Sequence, residues 1–502
     1  MDKRLVIILP CLSGILLFLS FPPVNFGVLS FFALIPLLLS LNRTKRLSFL
    51  KGYLTGLTFF FCLLFWTKIY HPLALPLLVL ILSLYLGLFS YLYSLLTPYP
   101  LPFTILAGPF LWTSLEFIRS LGTLGFPWGV IGYTQYKNLP FIQISSITGV
   151  FGVSFLIVLI NSILTQIINY GLHGFAWIKR LIWVAFLIIV IWYGEGLWVI
   201  LKSSISKSDL KIAIIQGGFS YDLDWVSNRD KILGRLENLT KKAGRFHPQL
   251  IIWPETAVRE PIEGDQSLIS WLERLAMDNK AFLLVGSPHI EDGERFYNSA
   301  FLFSPFRGLI NRYDKIHLVP FGEFLPFERF LSFVRYIAPK IGNFSEGKRY
   351  TIFQLSNHKL LTKFGVLICF EDIFSDLTRR FVRNGACFMV NITNDVWSRS
   401  RVSHYQHFNM CIFRAVENGC FLVRAGNTGI SAIINPYGKV ERILPIFKKN
   451  ILIGNISLNS TPTFYTRYGD VFSYSSLGLS LISIIYIFLR RRLKKVDKAD
   501  EK

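Results

Sequence analysis

Long apolar segments fill the first 201 residues of the chain, and one more lies near its carboxyl end. A helix needs about 20 apolar residues to cross the hydrocarbon core of a bilayer. Eight segments approach this length, at 5–21, 27–42, 52–69, 73–96, 103–118, 148–170, 180–200 and 471–489. The pattern predicts a multi-span α-helical membrane domain with seven helices at 1–205, and an eighth helix with a basic tail at 466–502.

The region 206–465 is more polar, and its short apolar runs alternate with amphipathic stretches. Lys211–Gln216 and Phe364–Ile368 have the length and apolar character of buried strands, and Ser227–Arg245 and His404–Asn418 have the spacing of helices. Two further runs flank Gly308 in the manner of a hairpin. Alternating helices and paired strands predict a domain of stacked sheets flanked by helices.

Composition agrees with a membrane part. The chain is 52% hydrophobic and only 17% charged, whereas soluble domains have roughly 25% charged residues. A surface that binds nucleic acid is one explanation of its net charge of +22. The basic residues instead gather at the ends of the apolar segments, where membrane topology places them. The predicted partner is therefore a membrane and no nucleic acid.

The basic clusters also predict the orientation of the chain, because cytoplasmic connections are rich in Lys and Arg. With eight spans, four such clusters fall on one side of the membrane, at 3–4, 43–51, 179–180 and 490–495. That side is predicted to be the cytoplasm of a cell whose inner membrane holds this multi-pass protein. Both termini are then cytoplasmic, and 206–465 is periplasmic.

Glu255, Lys315 and Cys369 each directly follow a predicted strand. The ends of strands are where a rigid sheet can bring together groups from distant parts of the chain. A thiol that attacks a carbonyl needs a base, for which Glu255 is the candidate, and the resulting oxyanion needs a cation such as Lys315. Each residue alone has a plainer interpretation, as a loop acid, a surface lysine or a core cysteine.

No metal and no organic cofactor are expected. The six cysteines form no Cys-x-x-Cys motif, which argues against a zinc or thioredoxin-like site. The histidines show no metal-ligand spacing, and a structural or surface role is the simpler interpretation for His289, His317, His404 and His407.

The sequence around the three candidate residues resembles the carbon-nitrogen hydrolase (nitrilase) superfamily over roughly 206–460. The matching motifs are Trp253-Pro254-Glu255-Thr256, Tyr313-Asp314-Lys315, Cys369-Phe370-Glu371-Asp372, Arg414-Ala415-Val416-Glu417-Asn418 and Asn427-Thr428-Gly429. The resemblance implies an α/β nitrilase-like αββα sandwich and a catalytic triad of Glu255, Lys315 and Cys369.

With eight spans around such a domain, the whole chain resembles the bacterial apolipoprotein N-acyltransferase family. Further supporting stretches are Phe126–Gly129, Lys315–Glu323, Arg424–Ala432 and Arg467–Asp470. The resemblance implies transfer of a fatty acyl chain from a membrane phospholipid, typically phosphatidylethanolamine. The chain would pass through a thioester on Cys369 to the N-terminal amine of a diacylglyceryl-cysteine lipoprotein.

The same resemblance assigns supporting roles to three residues. It implies that Glu323 orients Lys315 and that Glu371 supports the nucleophile. Trp225, in a mobile arm after the first strand, would hold the lipid or gate its entry. Plainer roles stay open for all three: Glu323 as a cap or partner of a surface cation, Glu371 as a partner of Arg379 or Arg380, and Trp225 as a packing aromatic.

The chain departs from the family pattern at three places. Gly218 stands where Asn is frequent, Phe370 where Tyr is common, and Ser398-Arg399 where Phe-Gly usually follows the tryptophan. A membrane-tethered nitrilase-like amidase is the alternative function, because water can take the acyl group in place of an amine. A transporter or scaffold with an inactive domain is a second alternative, and oligomeric state is not determined by the sequence.

Overall fold

In the computed structural model the chain divides into two compact units, Met1–Ile200 together with Asp470–Lys502, and Leu201–Gly469. The structure describes residues 5–500 except 44, 98, 100, 171–175, 203–208, 221–222, 340, 358–359 and 459–460. The basic residues Lys3 and Arg4 and the predicted domain boundary after residue 205 lie outside the described residues.

The first unit is helical. Its helices before the second unit are α1 Leu5–Leu19, α2 Ile35–Arg43, α3 Ser48–Leu63, α4 Ala74–Leu96, α5 Leu101–Arg119, α6 Leu139–Ile142, α7 Ser145–Thr148, α8 Val150–Tyr170 and α9 Ala176–Lys202. Within the described part of the chain, three helical segments are long and apolar enough to cross a membrane: Ala74–Leu96, Val150–Asn169 and Val471–Arg492. These apolar helices fit a membrane protein, and the crossing of all eight predicted spans stays a prediction.

The second predicted span is not one continuous helix. A short 3-10 helix at Gly27–Phe31 is separated from α2 at Ile35–Arg43. Asn161 of α8 satisfies the broken backbone, because its side chain accepts from the Leu34 N–H (2.9 Å) and donates to the Ser30 carbonyl (2.8 Å). A buried amide side chain therefore replaces the missing helical hydrogen bonds.

The second unit contains twelve strands among its described residues. They are β1 Leu210–Gln216, β2 Leu250–Ile252, β3 Phe282–Glu291, β4 Arg295–Ser304, β5 Gly308–Asp314, β6 Ile352–Asn357, β7 Leu360–Ile368, β8 Phe388–Thr393, β9 Phe421–Gly426, β10 Ser431–Ile434, β11 Val440–Leu444 and β12 Asn450–Ile456. Its helices are α10 Trp225–Gly244, α11 Gln266–Asp278, α12 Glu328–Leu331, α13 Val334–Ile337, α14 Ser375–Arg383, α15 Arg401–Asn418 and α16 Phe464–Tyr468. The last helix, α17 Val471–Asp500, belongs to the first unit.

These strands form two six-stranded sheets, in the orders β12-β1-β2-β3-β4-β5 and β11-β10-β9-β8-β7-β6. The pairs β1/β2, β2/β3, β7/β8 and β8/β9 are parallel. Their central strands β2 and β8 contain only buried residues, as expected for parallel strands that are covered on both faces. The hairpin predicted around Gly308 is present as β4 and β5.

Helices cover the outer faces of the sheets. Helix α10 contacts β1, α11 contacts β3 to β5, and α14 contacts β7 and β8, while β1 meets β9 and β4 meets β7 between the sheets. The predicted αββα arrangement is thus confirmed, and the carboxyl ends of β2, β5 and β7 carry the candidate residues.

Candidate active site

Glu255 lies just after β2 and is 6% exposed. Its Oε1 accepts from Asn298 Nδ2 of β4 (2.8 Å), and its Oε2 accepts from the backbone N–H of Asn394 after β8 (2.8 Å). Donors from both sheets therefore fix the carboxylate at the strand ends.

Lys315 follows β5 and is 1% exposed. Its backbone N–H donates to the Asn298 carbonyl (2.8 Å). Its Nζ donates to Glu323 Oε1 (2.8 Å) and lies 3.9 Å from Glu255 Oε1. Glu323 also accepts from the Val319 N–H (2.8 Å), and its carboxylate pairs with Lys315 rather than with a surface cation.

Cys369 is the first residue of a 3-10 helix, Cys369–Ile373, that directly follows β7. It is 3% exposed, and its φ of 53° lies in the left-handed region. This backbone conformation is unfavourable for a residue with a side chain, and residues that adopt it are concentrated at functional sites. Its carbonyl accepts from Asn391 Nδ2 (3.1 Å). The charges of Glu255 and Lys315 act in opposite directions on the pKa of the thiol, which Glu255 raises and Lys315 lowers.

The electrostatics of the three groups suit proton transfer from sulfur to the carboxylate. Burial raises the pKa of Glu255, and the neighbouring Glu323 adds to this increase. Burial and the Glu255 carboxylate raise the pKa of the Cys369 thiol well above its ordinary value, so the thiol is protonated at rest. Burial opposes the charge on Lys315, but Glu323 and Glu255 outweigh it and raise its pKa. The site therefore combines a Glu255 carboxylate that is more basic than an ordinary one, a protonated Cys369 thiol and a positively charged Lys315.

Glu371 links the segment around Lys315 to the residue that precedes Cys369. Its Oε1 accepts from the Tyr313 hydroxyl (2.7 Å) and from the N–H groups of Ile316 (2.7 Å) and His317 (3.0 Å). Its Oε2 accepts from the Ile368 N–H (2.7 Å). The alternative, a pairing of Glu371 with Arg379 or Arg380, is not formed, and both arginines pair with Asp376 instead.

The structure places Trp225 at the first position of α10, not in an arm. Asp224 caps this helix by accepting from the Ser227 N–H (2.8 Å), which starts the helix earlier than the apolar pattern indicates. The half-buried indole packs against the core under β1 to β4 and its Nε1 donates to Glu260 (3.3 Å).

The structure shows the surroundings of three residues that depart from the family pattern. Gly218 has a φ of 63°, a region that glycine adopts freely and that Asn tolerates better than most residues. The Phe370 ring lies among His317 and Phe374, with centroid separations of 6.2 and 5.4 Å. Ser398 donates to the Asp395 carbonyl (3.0 Å).

Sequence reasoning missed two side chains that hold Glu255 and Cys369. Asn298 contacts both Glu255 and Glu323, and Asn391 contacts Cys369. Each is an amide within a largely buried strand, which was the available signal, since buried amides need hydrogen-bond partners.

Comparison with known proteins covers both units. Residues 13–163 match the apolipoprotein N-acyltransferase N-terminal domain, and residues 211–464 match the carbon-nitrogen hydrolase family. An apolipoprotein N-acyltransferase of Geobacter metallireducens is 38% identical over 96% of this chain and 95% of its own. Apolipoprotein N-acyltransferase 1 of Treponema denticola is 30% identical over 98% of both chains, and the Borreliella burgdorferi apolipoprotein N-acyltransferase is 31% identical over 95% of both.

Each of these relatives aligns with at least 95% of this chain, so the alignment includes both of its units. The chain therefore belongs to the apolipoprotein N-acyltransferase family.

Proposed function

We propose that the protein transfers a fatty acyl chain from a membrane phospholipid to the N-terminal amine of lipoproteins, with Cys369 as the nucleophile. Membership of the family supports the acyl transfer. The observation that supports the residue assignment is the burial of Glu255, Lys315 and Cys369 at the carboxyl ends of three strands, with Lys315 Nζ 3.9 Å from Glu255 Oε1.

In the first half-reaction, Cys369 attacks an ester carbonyl of the phospholipid and its proton passes to Glu255. The Lys315 ammonium stabilises the oxyanion of the tetrahedral intermediate, a contribution of about 3–4 kcal/mol for one such donor. The ester C–O bond then breaks, and Glu255 returns the proton to the departing lysophospholipid oxygen. A thioester remains on the enzyme.

In the second half-reaction, the amine of the diacylglyceryl-cysteine attacks the thioester carbonyl. Glu255 takes a proton from the amine nitrogen, and the oxyanion again forms next to Lys315. The C–S bond breaks, the sulfur recovers its proton from Glu255, and the amide product leaves. Burial of all three groups limits water, which would otherwise hydrolyse the thioester.

The proposed setting follows from the apolar helices and the basic clusters. The protein would be a multi-pass protein of the bacterial inner membrane with cytoplasmic termini and a periplasmic catalytic domain at 206–465, flanked by membrane parts at 1–205 and 466–502. Phosphatidylethanolamine is the proposed donor. Both substrates carry acyl chains, so an enzyme anchored in the bilayer meets them without extracting them into water.

The test is the intact mass of the purified enzyme after incubation with phosphatidylethanolamine alone. One fatty acyl group is expected on the wild-type enzyme, and a lipopeptide with a free N-terminal diacylglyceryl-cysteine should remove it. Cys369→Ala should acquire no acyl group, whereas Cys420→Ala, which alters another buried cysteine, should behave as wild type.

Wild-type turnover by the Cys369→Ala enzyme would contradict the proposed mechanism. Release of ammonia from a small soluble amide, without any acyl-enzyme from lipid, would identify the membrane-tethered amidase instead. Solute uptake in proteoliposomes without acyl transfer would favour the transporter alternative.

A further inference from the structure

Four buried charged side chains lie directly behind the Cys369 turn. Asp372, Asp395, His407 and Arg424, here called the charge cluster, are 0%, 2%, 3% and 0% exposed. They come from the 3-10 helix, the segment after β8, α15 and β9. The proposed reaction assigns no role to any of them.

Every member of the charge cluster is paired with another. Arg424 donates to Asp372 and, through Nη2, to Asp395 Oδ2 (2.9 Å). His407 lies between the two carboxylates, with Nε2 2.7 Å from Asp372 Oδ1 and Nδ1 3.0 Å from Asp395 Oδ1. Buried charges are tolerated only when they are paired and hydrogen-bonded in this way.

The charge cluster is balanced at neutral pH. Burial opposes the charge of His407, but the Asp372 and Asp395 carboxylates raise its pKa to about 9 despite the nearby Arg424. Both aspartates keep a lowered pKa, because His407 and Arg424 outweigh the effect of their burial. Two cations therefore face two anions, so the four groups of the charge cluster carry no net charge.

One connection from the charge cluster leads to the nucleophile through Asn391. In the second sheet Leu367, Asn391 and Arg424 are neighbours across three parallel strands. Arg424 donates to Asn391 Oδ1 (2.7 Å), which orients the amide so that its Nδ2 donates to the Cys369 carbonyl (3.1 Å). This hydrogen bond holds the residue whose φ is 53°.

A second connection leads to the candidate base. Asp395 is fixed by Arg424, by His407 and by the Thr393 hydroxyl (3.2 Å). The residue between Thr393 and Asp395 is Asn394, whose backbone N–H donates to Glu255 Oε2 (2.8 Å). The charge cluster therefore fixes the segment that holds the carboxylate.

We propose that the charge cluster is a positioning device that acts through Asn391 on Cys369 and through Asn394 on Glu255. It keeps the strained turn at Cys369 and the carboxylate of Glu255 in fixed positions relative to each other. The inference rests on the proposed roles of Cys369 and Glu255. Misplacement of reacting groups by about 1 Å costs around a hundredfold in rate, so a modest shift of either group is measurable.

The test uses the full-length enzyme with Asn391→Ala and Asn391→Asp. Both remove the donor to the Cys369 carbonyl, and the Asp variant keeps the side-chain volume and a partner for Arg424. The matched control is Asn418→Ala. Asn418 is also 0% exposed and also has two strong partners, donating to the Arg414 carbonyl (3.0 Å) and accepting from Thr466 (3.1 Å).

Two rates are measured per folded molecule: acyl-enzyme formation from phosphatidylethanolamine, and alkylation of Cys369 by iodoacetamide, located by peptide mass spectrometry. Both Asn391 variants are expected to lose at least about tenfold in both rates, equal to about 1.4 kcal/mol. The KM for phospholipid should stay within about twofold, because no lipid contact changes. Asn418→Ala should lower the melting temperature while both rates stay within about twofold of wild type.

Wild-type alkylation in either folded Asn391 variant, or an equal loss of rate in Asn418→Ala, would overturn the inference. Failure of the proposed function is distinguishable from this result. An enzyme that never accepts an acyl chain from lipid would refute the function, yet its Cys369 alkylation rates would still decide whether Asn391 positions the thiol.

Discussion

Replacing Gly286 by alanine is expected to displace the candidate base. Gly286 lies on β3, against the backbone of the segment that carries Glu255. A Cβ at this position would lie 2.5 Å from the Pro254 carbonyl oxygen, 2.7 Å from Glu255 Cα and 2.9 Å from the Thr256 nitrogen. All three neighbours are backbone atoms, so no flexible side chain can swing away.

The size of the effect follows from these distances. Ordinary contact begins at 3.4 Å, so the Pro254 carbonyl oxygen has to move by about 0.9 Å and Glu255 Cα by about 0.7 Å. Glu255 is held by hydrogen bonds of 2.8 Å to Asn298 and Asn394, which cannot both absorb such a shift. A displacement near 1 Å costs about a hundredfold in rate, and overpacking a core costs about 1–3 kcal/mol.

Acyl-enzyme formation in Gly286→Ala is therefore expected to be about 30- to 100-fold slower than in wild type. The melting temperature should fall by about 2–12 °C, because 1 kcal/mol corresponds to about 2–4 °C in domains of about this size. The assay is single-turnover acylation followed by intact mass, normalised to the folded fraction.

Gly234→Ala is the matched control. Gly234 lies in α10, and an alanine Cβ there would meet no neighbouring atom within 4 Å. Alanine should therefore stabilise the helix by about 0.5–1 kcal/mol and leave the rate unchanged. An acylation rate in Gly286→Ala within threefold of the Gly234→Ala rate would refute the reasoning.

Three further outcomes are expected. Gly347→Ala should slow acylation at least tenfold, because its Cβ would collide with the Asp314 carbonyl next to Lys315; single-turnover acylation measures this. The acylation rate should fall as pH decreases through the pKa of Glu255, since only the ionised carboxylate accepts a proton. Burial places this fall above the ordinary pKa of 4.5. A pH–rate profile of Glu255→Gln that still shows the same fall would contradict the assignment. Tyr313→Phe removes the hydroxyl that donates to the buried Glu371 carboxylate (2.7 Å) and should cost about 1.5–3 kcal/mol of stability, seen as a lower melting temperature.

The elements of the second unit were largely predictable where one face is consistently apolar. Strand β1 and helix α10 begin and end within two residues of the predicted bounds, and helix α15 ends at the predicted residue. In contrast, β6, β11 and β12 were not predicted. These strands lie at or next to sheet edges, where fewer side chains are buried and the apolar pattern is correspondingly weak.

The candidate site was predictable only in part. The motifs around Glu255, Lys315 and Cys369 are local in sequence, and the strands before Glu255 and Cys369 have a clear apolar pattern. The position of Trp225 was not predictable in the same way, because the Asp224 cap extends α10 beyond its apolar stripe.

The sequence by itself determined the apolar segments, the α/β character of 206–465 and the three residues that could carry the chemistry, because these depend on local periodicity and residue type. Only the tertiary structure decided which groups hold them. Asn298, Asn391 and the charge cluster are polar residues scattered over separate strands and helices, and their partners are fixed by strand register. Hydrogen bonds and ion pairs act over a few ångströms, so their partners depend on how the sheets assemble and not on spacing along the chain.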